Sequence, residues 1–535
     1  MRGAAQNTSN YIPSYTFNNL LDFADDEAYT VNRLVNPASG VPSTLFSQLK
    51  QREWALFIQD DWKVSRTLTV NLGLRYENFG TFHEKQGSLR NLLFGPGNNI
   101  LERIASGRVD IVPQFYPTAN KNFDPRFGFA WDPSGKAKWT VRGGMGVVNN
   151  RISTLPTENY RGNPPLLAQA SLGVPFGTSF IYTLGDPTKP FVGYPVDPAL
   201  QLGLDSRNGI KGARVNLTAV DPNLRTPYIY NWFVGIQHEL TKNTVAEVNY
   251  IASAGHHLYN SINLNRFAGD MQDGVFNGLN PSFGSISMVQ STSNSIFNGA
   301  TASLRQRFGS QFNIGGSYTY GKAIDDTDGE TGTTAWQNAY DRQAERAAAG
   351  FDTRHRLTIN GLWNMPFFKD RKHNRAANAI LGGWQLSGFA IFDNGTPFNI
   401  TNGAAFPNGD YNADNNGGDR PNAPTSGIKS SGWSRQEFLS GIFKVADFPK
   451  PAAGSGGNLG RNVYRGPGFA QVDPSLAKKF AITERLNASL RLDAYNALNR
   501  VNLNSPTGDL NNNNFGRVTG TNTPRLLQLG LRIAF

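Results

Sequence analysis

The stretch "RTLTVNLGLRYENFG" (residues 66–80) changes character at every step. Leu68, Val70, Leu72, Leu74 and Tyr76 take one side, and Thr67, Thr69, Asn71, Gly73, Arg75 and Glu77 take the other. A period of two places alternate side chains on opposite faces of a β-strand, whereas a helix would bring the apolar residues together every third or fourth place. "TPYIYNWFVGIQHEL" (226–240) repeats the pattern: Tyr228, Tyr230, Trp232, Val234, Ile236 and Leu240 oppose Asn231, Gly235, Gln237 and Glu239. So does "RLNASLRLDAYNALNR" (485–500), with Leu486, Ala488, Leu490, Leu492 and Ala494 against Asn487, Ser489, Arg491 and Asp493.

The polar faces carry Arg, Glu, Asp and Asn. A soluble sandwich turns such a face to outer water, whereas a porin-like barrel turns it to an aqueous lumen and presents the apolar face to lipid. The connections favour the barrel. Tight links at 63–66, 133–136, 240–243, 308–311 and 481–484, with a longer one at 366–383, alternate with long polar stretches near 79–123, 149–226, 255–295, 323–352, 395–468 and 499–524. Short turns at one rim and long loops at the other are the outer-membrane arrangement, with periplasmic turns and extracellular loops. About 13 strands are predicted between residue 53 and the end. The predicted class is therefore all-β, an antiparallel transmembrane β-barrel with long extracellular loops.

Bulk composition agrees. The chain has 535 residues, 39% of them hydrophobic, and a mean hydropathy of −0.41. No run approaches the roughly 18 apolar residues of a spanning helix, but a spanning strand needs only about 10, every second one apolar. Phe 35, Tyr 18 and Gly 57 suit strands and turns. The absence of cysteine excludes disulfides and thiolate metal sites. A net charge of +11 raises the question of nucleic acid. The basic residues are scattered, often one to a strand, so nucleic acid is not an expected partner, and the anionic lipid and sugar of an outer membrane are.

Four stretches also resemble TonB-dependent outer-membrane receptors. They are "REWALFIQDDWKVSRTLTVNLGLRYE" (52–77), "FDTRHRLTINGLWNMPF" (351–367), "LGGWQLSGFAIFDNGTPFNI" (381–400) and "GNLGRNVYRGPGFAQVDPSLAKKFAITERLNASLRLDAYNALNRVNL" (457–503). The similarity is to the Oar-like subgroup, whose members carry a carboxypeptidase-regulatory-like N-terminal domain. That resemblance implies a 22-stranded barrel around a plug domain, with a TonB box that pairs with TonB by strand addition. It implies that residues 51–535 are the C-terminal portion of such a barrel and 1–50 an extracellular loop of it. Plug, TonB box and signal peptide are expected to be absent, since "MRGAAQNTSNYIPSYTFNNLLDFADD" has no apolar core after its charge. TonB would then be reached only through a missing N-terminal part. The final strand "LLQLGLRIAF", with Leu527, Leu529, Leu531, Ile533 and terminal Phe535, resembles the signal read by the outer-membrane assembly machinery.

Candidate sites are few. "GDYNADNNGGDRPN" (409–422) sets Asp410, Asn412, Asp414, Asn416 and Asp419 as oxygen ligands with a glycine turn, like a calcium loop, but the closing Glu is missing: Ala423 stands there. A solvated Asn- and Gly-rich loop is the alternative, and "DDTDGE" (325–330) is a weaker match. No other cofactor is expected. His256 and His257 are neighbours on a strand and so are expected on opposite faces. Arg75, Arg126, Arg142, Arg305, Arg307, Arg354, Arg356 and Arg491 are expected to face the lumen, where they pair with plug carboxylates, line a substrate path or stand as a solvated wall. His355 is expected nearer the lipid interface. Trp62, Trp131, Trp139, Trp232, Trp363 and Trp384 are expected near strand ends, in the interface girdles.

No Ser-His-Asp order, G-x-S-x-G, H-E-x-x-H or phosphate loop occurs, so an enzyme is not expected. The leading expectation is uptake of a large or scarce substrate across the outer membrane. A self-contained porin of about 14 strands, a surface adhesion or display barrel, and a secreted soluble β-protein stay open.

Overall fold

The computed structural model describes residues 2–6, 14–41, 47–153, 158–173, 182–183, 202–328, 336–367, 380–481 and 486–535. Thirteen strands run in a single antiparallel meander, each beside its sequence neighbour, and two short segments bring the sheet to 15 strands. In order they are β1 (Glu53–Lys63), β2 (Leu68–Phe79), β3 (Ala119–Trp131), β4 (Trp139–Asn149), β5 (Tyr228–Thr241), β6 (Thr244–Asn263), β7 (Phe283–Phe308), β8 (Phe312–Asp325), β9 (His355–Asn364), β10 (Trp384–Asp393), β11 (Phe469–Ala481), β12 (Asn487–Tyr495) and β13 (Leu526–Ala534). Tight links at one rim alternate with long loops at the other. Residues 482–484 of the link predicted at 481–484, and most of the link at 366–383, lie outside the described residues.

Register fixes the faces. Leu72 lies opposite Phe127 and Asp60, Val248 opposite Ile236 and Ala302, and Leu492 opposite Leu476 and Leu529. Directly paired residues share a face, so the sheet carries one nearly continuous apolar surface. Ile58 (72% exposed), Val248 (58%) and Leu531 (68%) leave that surface uncovered by protein. An apolar patch of this extent belongs against lipid. At Gly143 and Gly144 the rings of Phe129 and Phe233 lie where side chains would stand, each ring resting on a glycine of the same strand.

The buried core sits beyond the loop rim. One hydrophobic cluster joins Leu92, Ile104, Leu217, Phe283, Met288 and Trp336, a second Leu49, Phe82, Phe115, Tyr160 and Val220, and a third Phe398, Trp433, Phe443, Tyr464, Leu503 and Phe515. The loops thus fold into a cap with its own cores, and 395–468, read from sequence as a polar stretch, supplies much of the third. The stretch 255–295 also differs from its reading as a loop. Strand β6 continues to Asn263 and β7 begins at Phe283, joined through Ser261–Val289 and Ile262–Met288. A parallel strand, Val215–Val220, flanks this extension. At 26 residues β7 far exceeds the roughly 10 a membrane requires, and its upper half builds the cap.

Residues 30–35 pair with 168–173, and 47–51 with 2–6 and 83–84. Among the described residues β1 is bonded only to β2 and β13 only to β12, and both run from loop rim to turn rim.

Candidate functional site

Two regions gather polar chemistry: the polar face of the sheet and the junction inside the cap. On the sheet, one row passes Arg142, Gly235, Asn249, Thr301, Thr319 and Arg356, each paired with the next. A second passes Ser475, Asp493 and Gln528, and Arg491 lies opposite Ala477 in the adjoining row. Arg75, Arg126, Arg305 and Arg307 hold the same face by register. Their bonds are short and local: Arg75 Nε to Glu77 (2.7 Å), Arg142 Nη2 to Gln237 (2.6 Å), Arg356 to both oxygens of Asp393 (2.9 Å each), and Arg491 Nε to Asp493 (2.8 Å). An open recess of about 890 Å³ lies on this wall, lined by Glu247, Asn249, Ser303, Arg305, Asn313 and Asn360 among others. Such a surface can hold water and polar solutes. Phe57, Phe233 and Phe389 interrupt it, against the binary pattern.

Arg354 stands apart from this row. It precedes β9 and donates through Nε to Asp352 (2.8 Å), a carboxylate that Arg465 and the Ala323 N–H also engage. Burial alone would raise the Asp352 carboxyl, but these donors hold it below the usual carboxylate range.

Arg354–Asp352 belongs to a set of ion pairs that sew the cap together. Arg420 grips Glu345 through both carboxylate oxygens (2.8 and 3.0 Å). Arg461 bonds Asp325 and Asp328. Arg266 meets Asp414 at 2.6 Å and also donates to the Trp336 carbonyl. Arg266, Arg420, Arg461, Glu345 and Asp414 are all buried. Their partners come from loops 75 to 148 residues away in sequence, which no local pattern announces.

The loop 409–422 lies at this junction. Asp410, Asn412, Asp414 and Asp419 are buried, while Asn416 is half-exposed. Asp410 caps the Asp414 and Asn415 N–H groups (2.9 and 2.7 Å), and Asp419 accepts from the Asn412 N–H (2.8 Å). Burial pushes the Asp414 carboxyl up to about 6 and that of Asp419 to about 7, despite Arg266. Among the described residues no three Asp, Glu, His or Cys side chains are grouped to hold a metal ion. Of "DDTDGE", Gly329 and Glu330 lie outside the described residues, and Asp325 and Asp328 are bound to Arg461.

The two histidines do not oppose each other. His257 has φ +54 in a bulge, the alternation breaks there, and both rings lie against Tyr228, at 5.3 and 5.5 Å. His355 sits on the apolar face, Nδ1 2.6 Å from the Tyr318 hydroxyl and its ring 5.1 Å from that of Tyr320. Trp62, Trp131, Trp139, Trp363 and Trp384 lie beside the turn rim, but Trp232 is the fifth residue of β5, far from its turn. Sequence reading missed the opposite cluster, Trp54–Tyr76–Phe123, with centroids 5.2 and 5.0 Å apart at the loop-rim ends of β1, β2 and β3. The shared place of all three rings in paired strands was the available signal.

An antiparallel sheet with one lipid-facing apolar surface, one polar surface and a folded loop cap defines an outer-membrane β-barrel protein of bacteria. The chain belongs to the outer membrane beta barrel domain family, which matches residues 3–528. Its cap is accordingly extracellular and its turn rim periplasmic. No curated protein matches the chain. Similar solved structures include the ferric citrate transporter FecA in its unliganded form (10% identity, 94% of this chain and 50% of that one, TM-score 0.41). They also include the FrpB iron transporter of Neisseria meningitidis (10%, 95% and 52%, 0.42) and the outer membrane transporter YddB of Escherichia coli (10%, 91% and 55%, 0.42). The chain spans about half the length of these structures.

Proposed function

We propose that this chain is the C-terminal portion of the barrel of a TonB-dependent, Oar-like receptor that imports a large or scarce substrate. The observation carrying this reading is that β1 and β13 run in the same direction, each with one edge unpaired among the described residues. Closing such a sheet through antiparallel pairs takes an odd number of further strands, and about nine would complete the 22 of a plugged outer-membrane transporter. An edge left open in lipid would strand its backbone N–H and C=O groups. The motifs at 52–77, 351–367, 381–400 and 457–503 support the subgroup.

In this reading the cap captures the substrate, the arginine-lined wall contacts a plug and the passing solute, and the apolar face of β13 (Leu527, Leu529, Leu531, Ile533) with Phe535 guides assembly. TonB engages a segment upstream of these residues. The test is co-purification of the periplasmic domain of TonB with the full-length protein extracted from outer membranes. Retention that depends on the upstream segment is expected; no retention would leave a porin or a display barrel. The packed cap favours display as the second reading, in which TonB is not retained.

A further inference from the structure

The calcium-like spacing of 409–422 leaves a cation site and a solvated loop as rivals. The loop is buried at 409–414 and 419–421 and open to solvent at 415–418, and its buried part is held in place. The Asn412 and Ala413 carbonyls accept from Gly269 N–H (2.7 Å) and Met271 N–H (2.8 Å), and the Asn412 amide donates to the Gln337 carbonyl (2.8 Å). Left-handed turns at Ala413 (φ +58) and Asn415 (φ +64) shape the segment around its own acidic side chains.

Every carboxylate oxygen can be accounted for. Both oxygens of Asp410 are used by the Asp414 and Asn415 N–H groups. Asp414 Oδ2 accepts from Arg266 Nη1 (2.6 Å) and Asn412 Nδ2 (3.2 Å), and Asp419 Oδ2 from the Asn412 N–H. Asp414 Oδ1 and Asp419 Oδ1 are buried and have no partner. Asp414 is 2% exposed and Asp419 0%. Of the three buried carboxylates only Asp414 bonds the Arg266 guanidinium, whose Nε is itself buried without a partner, and one oxygen each of Asp414 and Asp419 has lost water without gaining a donor. A buried carboxylate in that state is neutralised by a counter-ion or a proton.

We propose that this loop binds one divalent cation of the calcium type, with Asp414 Oδ1 and Asp419 Oδ1 as its charged ligands. Calcium accepts carboxylate, amide and water oxygens in flexible geometry, so two carboxylates suffice when neutral oxygens complete the set. Asn412 Oδ1, which accepts one bond from the Asp414 N–H (3.1 Å), has a second lone pair to give. Asn416, in the same loop, is half-exposed. The loop has no histidine and the chain no cysteine, which disfavours softer metals, and magnesium demands a stricter octahedron. The ion would fix 409–422 against 269–271 and 337, stiffening the junction of the cap. The proposal stands independently of the transport reading.

The test uses full-length protein in detergent, stripped with a chelator and titrated with calcium chloride, following the melting temperature and the terbium luminescence excited through neighbouring Tyr411. Saturable terbium emission displaced by calcium, with a calcium-dependent rise in melting temperature, is expected. In D419N, calcium affinity falls at least about tenfold. The stripped D419N protein melts no lower than stripped wild type, because a buried charge has gone, and this distinguishes lost binding from misfolding. A wild-type melting temperature indifferent to calcium, rising only on acidification, would overturn the proposal in favour of protons. Unchanged terbium binding in D419N would place the ion elsewhere and overturn it equally.

Discussion

A single arginine placed on either face of β6 and β7 discriminates a lipid-facing from a water-facing surface. Val248 lies on the apolar side, 58% exposed, between Ile236 and Ala302. Four residues past Thr244 at about 3.3 Å each, along a strand tilted about 40°, it reaches about 10 Å into an apolar band about 25 Å tall. That is close to the midplane, where an arginine costs about 2–4 kcal/mol, or about 30- to 1,000-fold in the folded fraction. Ser303, on the adjoining strand opposite Glu247 and Ser317, faces the other way. Ser303→Arg should stay within about 0.5 kcal/mol, since a lumen wall solvates the guanidinium and Glu247 is beside it. Both variants are expressed as full-length protein, and the assay is the fraction that enters the outer membrane in urea-resistant, heat-modifiable form. Val248→Arg should reduce that fraction strongly and Ser303→Arg hardly at all. Equal losses, or a greater loss at Ser303, would refute the assignment of faces.

Three further outcomes follow from the cap. Arg420→Ala leaves the Glu345 carboxylate buried without its guanidinium, at a cost of about 3–5 kcal/mol, and should open the cap to proteinase K on intact cells while wild type resists. Phe443, packed against Tyr464 at 4.7 Å and Trp433 at 5.4 Å, fills the third cluster. Phe443→Ala should cost the cap about 3–5 kcal/mol yet leave the heat-modifiable barrel intact, read as new proteolytic sites within 395–468 only. Because the Asp352 carboxyl is depressed in the folded state, its contribution is present above its unfolded value of about 3.9 and disappears as pH falls through the lower folded value. Amide protection factors around 352 and 465, corrected for the intrinsic exchange rate, should therefore be flat from about pH 7 to 5 and fall only below about pH 4, with Asp352→Asn removing that acid step.

The strands were legible because one rule governs them. Alternation at 66–80, 226–240 and 485–500 reappears as β2, β5 and β12, and the meander has the thirteen strands that spacing implied. The cap was not legible, for physical reasons that differ by place. Phe398, Trp433, Phe443 and Tyr464 are scattered among Asn, Gly and Pro, so no period marks them as a core until their loop folds on itself and meets 503–518. Arg420 and Glu345 are 75 residues apart, and a buried ion pair at that separation has no sequence signature. His257 deceived the alternation rule because a bulge inserts a residue there. That Arg75, Arg126, Arg142, Arg305, Arg307, Arg356 and Arg491 share one face follows from parity alone, whereas Arg354 precedes its strand and is drawn into the cap by Asp352. The oxygen-rich loop 409–422 was visible as a pattern, but its burial, which gives the unpartnered oxygens their meaning, was visible only in three dimensions.

The larger-barrel reading is tested most directly by the size of the native protein. Antibodies against β12 and β13 would be used to blot outer-membrane fractions of the native bacterium, boiled and unboiled. A band at about twice the 58.6 kDa of this chain is expected, matching a 22-stranded barrel with a plug. A membrane band at 58.6 kDa that shifts on boiling would contradict it and establish a smaller, self-contained barrel.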